Sequence, residues 1–364
     1  MLETVGKSLR HSCRSELTRQ GISLPIAVIS TSLHLIYLAE FAHQRKLGNL
    51  EIVVLLKRPT DRPHIEQVLH EVEHRHVHWV ILTKDFENRF ISIFETFAFN
   101  GVGLKREAYD FGVYADYGRS MLANVKCEEY FWLGDGTKLI YETSPSGRAS
   151  LSRFKLHKFF DRVTRALMGR RIYLPKEPHI FSPFKLDIDG QEVNSFEWLK
   201  SKYDFEPSTI DRSSVYFFGS YFSERAGEPL MLDSHYLEYM REIASLYQAK
   251  NLDLVYVPHR HESAGKLDLI SQIPGCRVER FQYPAEMAFY KRGEYPVHIA
   301  SFFSTCLFHF EMMDVCDSVT SFYIDFSRHN LSYAPVAAEI YQALETVLGQ
   351  EHVVRLNVDQ ETLV

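Results

Sequence analysis

Short apolar runs rich in β-branched residues alternate along the first half of the chain with stretches of helical periodicity. Residues 25–30, Pro-Ile-Ala-Val-Ile-Ser, suit a strand buried on both faces. Residues 32–45 follow, with Leu35, Leu38, Ala39 and Ala42 on one helical stripe. The pattern then predicts strands at 51–56, 77–82, 108–115 and 130–133, and helices at 62–74, 86–97 and 119–127. The same rhythm returns later, with strands at 214–218, 252–257, 278–281, 297–301 and 319–324 and helices at 234–248 and 335–348. A βαβα order implies parallel sheets covered by helices on both faces.

Between these halves the character changes. Residues 148–171 carry Arg148, Arg153, Lys155, Lys158, Arg162, Arg165, Arg170 and Arg171, opposed only by Asp161. Phe159, Val163 and Leu167 share a stripe, which predicts an amphipathic helix with a basic face. That face is either simply solvated or drawn to an anionic membrane surface or glycan, at about 1 kcal/mol per cation near a charged bilayer. Residues 173–207 hold four prolines and Asp189-Gly190, and read as an interdomain connection containing a small hairpin. The expected partition is therefore 1–172, a linker at 173–207, and 208–364. A length of 364 residues fits two domains.

Composition narrows the class further. The chain is 45% hydrophobic and 24% charged, as in a soluble globular protein. A net charge of -6 argues against nucleic acid as a partner. The five cysteines are odd in number, widely spaced and without a CxxC pair, which fits reduced thiols in the cytoplasm. No apolar run reaches the roughly 18 residues of a membrane span, so a soluble or peripheral protein is expected. Aromatic content is high, with 26 Phe and 20 Tyr, and such rings serve cores or stack on bases and sugars.

Three segments carry candidate chemistry. His259, in Tyr256-Val257-Pro258-His259-Arg260-His261-Glu262, follows a predicted strand, where open α/β sheets place ligand groups. Its loop is cationic and favours a phosphate, though a solvated turn has the same look. His259, His261 and Glu262 also allow a metal-hydrolase reading. Ser304-Thr305 stand at a predicted helix start, either as an ordinary cap or as hydroxyls meeting a phosphate beside free N–H groups. Asp135, in Trp132-Leu133-Gly134-Asp135-Gly136, is either a turn aspartate or an acid brought close to substrate by flanking glycines. His70, His74, His76 and His78 cross a helix-to-strand junction and read as surface histidines. Asp187-x-Asp189 reads as part of a turn rather than a metal-binding DxD.

In their order, these segments resemble the bacterial two-domain GT-B sialyltransferases of the lipooligosaccharide and polysialic acid groups. Gly134-Asp135-Gly136 is similar to the acidic motif that supplies the general base, with Gly134 standing at the first acidic position. Pro258-His259-Arg260 is similar to the His-Pro motif, with Arg260 in place of proline. Ser304-Thr305 is similar to the hydroxyl motif that holds the donor phosphate. The resemblance implies two Rossmann-like domains with parallel sheets facing a central cleft. It implies Asp135 as base, a cationic His259 on the phosphate, Arg260, Ser304 and Thr305 at the donor, and Glu286 on the cytidine ribose. The implied reaction is inverting transfer of sialic acid from CMP-sialic acid to a lipooligosaccharide- or capsule-type glycan acceptor, without metal or cofactor, in the cytoplasm, either free or peripheral at the inner face of the plasma membrane. Another CMP-activated sugar such as Kdo, a metal hydrolase, and an inactive glycan-binding relative are the competing readings.

Overall fold

The computed structural model describes residues 24–56, 58–81, 108–115, 118–122, 125–147, 178–186, 188–203, 209–224 and 229–359. The predicted helix at 86–97, the basic stretch 148–171 and Asp187 lie outside them. The described residues fall into two compact units. One is drawn from Met1–Gly134, Phe154–Ser182 and Asp189–Asn194, the other from Asp135–Arg153, Pro183–Ile188 and Ser195–Val364.

The first unit is built on a seven-stranded sheet. Its strands are β1 (Pro25–Ile29), β2 (Glu51–Leu56), β3 (His76–Ile81), β4 (Ala108–Tyr114), β5 (Lys126–Leu133), β6 (His179–Ser182) and β7 (Gln191–Val193). They lie in the order β3-β2-β1-β4-β5-β6-β7, and every neighbouring pair is parallel. All five residues of β1 are buried, as an uninterrupted β-branched run requires. Helix α1 (Ser32–Gln44) starts where the Thr31 side chain accepts from the His34 N–H, and its Phe41 packs on Phe111, Phe131 and Phe181. Helix α2 (Arg62–Leu69) stops five residues short of the predicted end.

Two expectations are corrected in this unit. The predicted helix at 119–127 is only α3 (Gly118–Leu122), because Lys126 already belongs to β5. The Tyr130 hydroxyl accepts from the Cys127 N–H at 3.0 Å and donates to the Val125 carbonyl at 2.7 Å, which pins the strand entry. The predicted hairpin is instead the parallel pair β6–β7, with Ile180 opposite Gln191. Gly190 turns the chain into β7 at φ 75°, and a Cβ there would fall 2.8 Å from His179 Nδ1. His179 is fixed by stacking on Phe131 at 5.0 Å.

The second unit holds a six-stranded sheet of β8 (Thr209–Phe218), β9 (Asp253–Val257), β10 (Cys276–Val278), β11 (Glu294–Ser301), β12 (Ser318–Tyr323) and β13 (Val353–Arg355). The order is β10-β9-β8-β11-β12-β13, again parallel throughout. Its helices are α4 (Lys138–Thr143), α5 (Glu197–Tyr203), α6 (Asp233–Gln248), α7 (Ala264–Ser271), α8 (Ala285–Arg292), α9 (Thr305–Met313) and α10 (Ala334–Leu348). The chain runs outward from β8 to β10, then returns to the other side of β8 as β11. Sheets of this kind usually place ligands at such a reversal, beyond the carboxyl ends of the two strands, here β8 and β11. Phe217 packs among Tyr256, Phe302 and Phe322, so much of the aromatic content is core.

Each unit is thus an α/β fold on one parallel sheet. Cys127, Cys276, Cys306 and Cys316 are free thiols. Among the described residues, no helix is long and apolar enough to cross a membrane.

Candidate functional site

Three adjacent strands of the second unit end in register. Val257 of β9 pairs with Phe218 of β8, which pairs with Ser301 of β11. Neighbouring strands lie about 4.8 Å apart, so the loops leaving them share one rim. Those loops carry Pro258–Glu262, Gly219–Glu224 and Phe302–Ser304.

A buried polar network supports the first two loops. The Glu262 and Lys266 side chains are both fully buried and pair at 2.7 Å. Glu262 Oε1 also accepts from the Tyr256 hydroxyl at 2.6 Å, and Oε2 accepts from the His259 N–H at 2.7 Å. Lys266 Nζ donates to the Ser220 carbonyl at 2.8 Å and lies 3.7 Å above the Tyr236 ring. The Tyr236 hydroxyl accepts from the Ser220 N–H at 3.1 Å and sits 2.8 Å from the Tyr256 hydroxyl. A Cβ on Gly219 would clash with the Tyr256 hydroxyl and fall 2.5 Å from Glu262 Oε2, so the close approach of this loop requires glycine. Burial raises the Glu262 carboxyl above its ordinary range, against the pull of Lys266, Tyr256 and the His259 N–H.

His259 differs from the expected cation. Burial first, then the charges of His261, Arg260 and Lys266, push its imidazole down to about 3. Geometry gives the same answer, because Nδ1 accepts from the His261 N–H at 3.2 Å. A proton on Nδ1 would oppose that donor. The ring is therefore neutral with its hydrogen on Nε2, and it still offers one N–H donor. Tyr221 stacks on it at 4.4 Å and 16°, and His261 meets both rings edge-on. Arg260 is exposed.

Ser304 is the N-cap of α9, its hydroxyl oxygen accepting from the Cys306 N–H at 3.3 Å. Thr305 is the first helical residue. The cap uses an acceptor lone pair, and the hydroxyl hydrogen remains a donor. Glu286, in the first turn of α8, is 3% exposed and meets His309 Nδ1 of α9 at 2.6 Å. Burial would raise its carboxyl, but the His309 contact outweighs this and holds it below the usual range. The structure thus ties Glu286 to the helix that Ser304 begins, and gathers His259, Ser304 and Thr305 on one rim.

Asp135 lies at the end of a strand of the other sheet. It follows β5 in the turn leading to α4, which packs on α10. Gly134 continues the strand's bonding, donating to the Phe181 carbonyl at 2.9 Å. Asp135 is half-buried, and a Cβ on Gly136 would meet nothing, so close packing does not demand that glycine. Of the histidine cluster, His74 Nδ1 bonds the Val72 carbonyl and His78 bonds Glu51 at 3.0 Å. Among the described residues, no three His, Cys, Asp or Glu side chains are grouped to hold a metal.

Sequence reasoning missed Gly219, Ser220, Tyr221 and Lys266. The rule that singled out His259, a loop following a strand, applies equally to Gly219–Tyr221 after the strand predicted at 214–218. Lys266 carried no such signal, since burial of a lysine is not written in its neighbours.

The chain matches no family model and no curated sequence. Among solved structures, it is similar to S. aureus MnaA with UDP, at 14% identity and a TM-score of 0.48, covering 92% of each chain. It is similar to the UDP-GlcNAc 2-epimerase from Neisseria meningitidis, at 11% identity and a TM-score of 0.46, covering 91% of this chain and 94% of that one. It is also similar to a glycosyl transferase family 9 protein from Veillonella parvula, at 10% identity and a TM-score of 0.39, covering 90% and 97%. The fold of this chain rests on its own two parallel sheets.

Proposed function

We propose that this chain is a GT-B glycosyltransferase that moves sialic acid from CMP-sialic acid to a hydroxyl of a cell-surface glycan acceptor, with inversion and without metal. The observation that carries the reading is the rim itself. A neutral His259 with an Nε2–H and the Ser304 cap stand on loops either side of β8, at the point where strand order reverses. A nucleotide phosphate there would meet neutral donors and a helix start, which stabilise charge without adding a counterion.

In the proposed reaction, Asp135 takes the proton from the acceptor hydroxyl as its oxygen attacks the anomeric carbon of the donor. The bond to the CMP phosphate breaks, and its electron pair stays on the phosphate oxygen. His259 donates its Nε2–H to that developing charge, which replaces the imidazolium first expected. Glu286 would receive the ribose hydroxyls, and Arg260 and Thr305 would add donors to the phosphate. A lipooligosaccharide or capsule precursor at the inner membrane face remains the proposed acceptor.

The test is calorimetric titration with CMP and with UDP, followed by CMP-sialic acid turnover in EDTA on a panel of galactosides and sialosides. Removing the His259 donor by His259→Ala should lower turnover by about 100-fold or more. Tight binding of UDP with none of CMP, or unchanged turnover in the variant, would reject the donor assignment.

A further inference from the structure

We infer that the buried Glu262–Lys266 pair is a positioning device that locks the His259 loop to the Gly219–Tyr221 loop. This rests on the reading that the rim receives a nucleotide phosphate. Glu262 holds the backbone of one loop through the His259 N–H, and Lys266 holds the other through the Ser220 carbonyl. The pair therefore spans the β8 and β9 loops with one ion contact at their centre. Tyr256 and Tyr236 close the circuit, because the Tyr236 hydroxyl accepts from the Ser220 N–H and meets the Tyr256 hydroxyl. Glu224, on the β8 loop, adds a further tie by accepting from the Ser263 N–H at 3.0 Å, with its other oxygen 3.6 Å from Lys266 Nζ.

What the lock fixes is the ring of His259. Tyr221 comes from one loop and His259 from the other, and they stack only while the two loops keep their spacing. The His261 N–H that selects the Nε2–H tautomer belongs to the same turn, which the His259 carbonyl closes by accepting from the Glu262 N–H at 3.0 Å. Stability alone does not call for such a pair. Replacing a buried ion pair with uncharged groups of like size is often neutral or stabilising. A pair kept under a ligand-facing rim is better explained by the geometry it enforces.

The paired variant Glu262→Gln with Lys266→Met removes both buried charges together, and Glu224, which loses its contact to Lys266, is partly exposed and keeps its bond from the Ser263 N–H. The variant's thermal midpoint, the ¹⁵N signals of the His259 ring without ligand, and CMP affinity by calorimetry are compared with the parent protein. The expected result is a midpoint close to the parent's, a His259 ring that loses its single Nε2–H tautomer, and CMP affinity lower by about tenfold or more. A folded variant with unchanged ring signals and affinity within about twofold would overturn the inference. If the parent protein binds no CMP, the proposed function fails, and the ring signals alone decide the positioning role. Should the paired variant not fold, Tyr256→Phe removes one hydroxyl contact to Glu262. It is expected to move the same signals less far, and no movement there overturns the inference.

Discussion

His259 shows how a few neighbours recast a residue. The sequence placed an imidazole beside Arg260 and His261 in a cationic loop, and a charged ring was the natural expectation. In the fold, the same neighbours repel a second charge, and Nδ1 is already accepting a hydrogen bond. The unfolded chain protonates this histidine near 6.5, whereas the folded one waits until about 3. Between those values the unfolded state holds more protons, so stability falls as pH drops through the window. His298, also held down by burial, adds to the same loss. The depressed carboxyls of Glu51 and Glu286 act later, below their ordinary 4.5. Glu262, whose carboxyl is raised by burial, acts with the opposite sign; with His259 and His298 both on the losing side, urea midpoints measured between pH 7 and 5 should fall for the parent protein. His259→Gln should flatten that fall, and an equal slope in both would remove the neutral-imidazole assignment.

Helix α9 joins two roles that a sequence cannot separate. Ser304 caps the helix, and the same hydroxyl is offered to a phosphate. Ser304→Ala should cost about 1 kcal/mol of stability through the lost cap. Ser304→Asp keeps an acceptor for the Cys306 N–H but places a negative charge where the phosphate is proposed. It should hold the melting temperature near that of the parent while nucleotide binding is lost, and retained binding would leave Ser304 as a cap alone. At this scale the sequence was legible wherever a single period ruled, as in β1, α1, α6 and α10. It failed where a side chain reached back to fix the backbone, as Tyr130 does at the start of β5. It failed too at β6 and β7, whose short runs next to Asp189-Gly190 have the look of a hairpin. In the fold β6 pairs in parallel with β5 on one side and with β7 on the other.

Across the whole molecule, the alternation of strand and helix was sufficient for an α/β fold with two parallel sheets. Candidate residues in the second unit were legible because strand ends are where such sheets expose loops. The network beneath them was not, since it joins Ser220, Tyr236, Tyr256, Glu262 and Lys266 across 46 positions of chain. The two units also exchange segments. β6 and β7 complete the first unit's sheet begun by β1 to β5, while α4, encoded between β5 and β6, belongs to the second unit, where it packs on α10. A protease nick between residues 147 and 178 would therefore leave each fragment holding part of both units. The two pieces should co-elute in size-exclusion chromatography and separate only in denaturant. Elution of two independent fragments would contradict the exchange. In a protein joined this way, neither half can be inherited, swapped or expressed as a cassette by choosing one cut site.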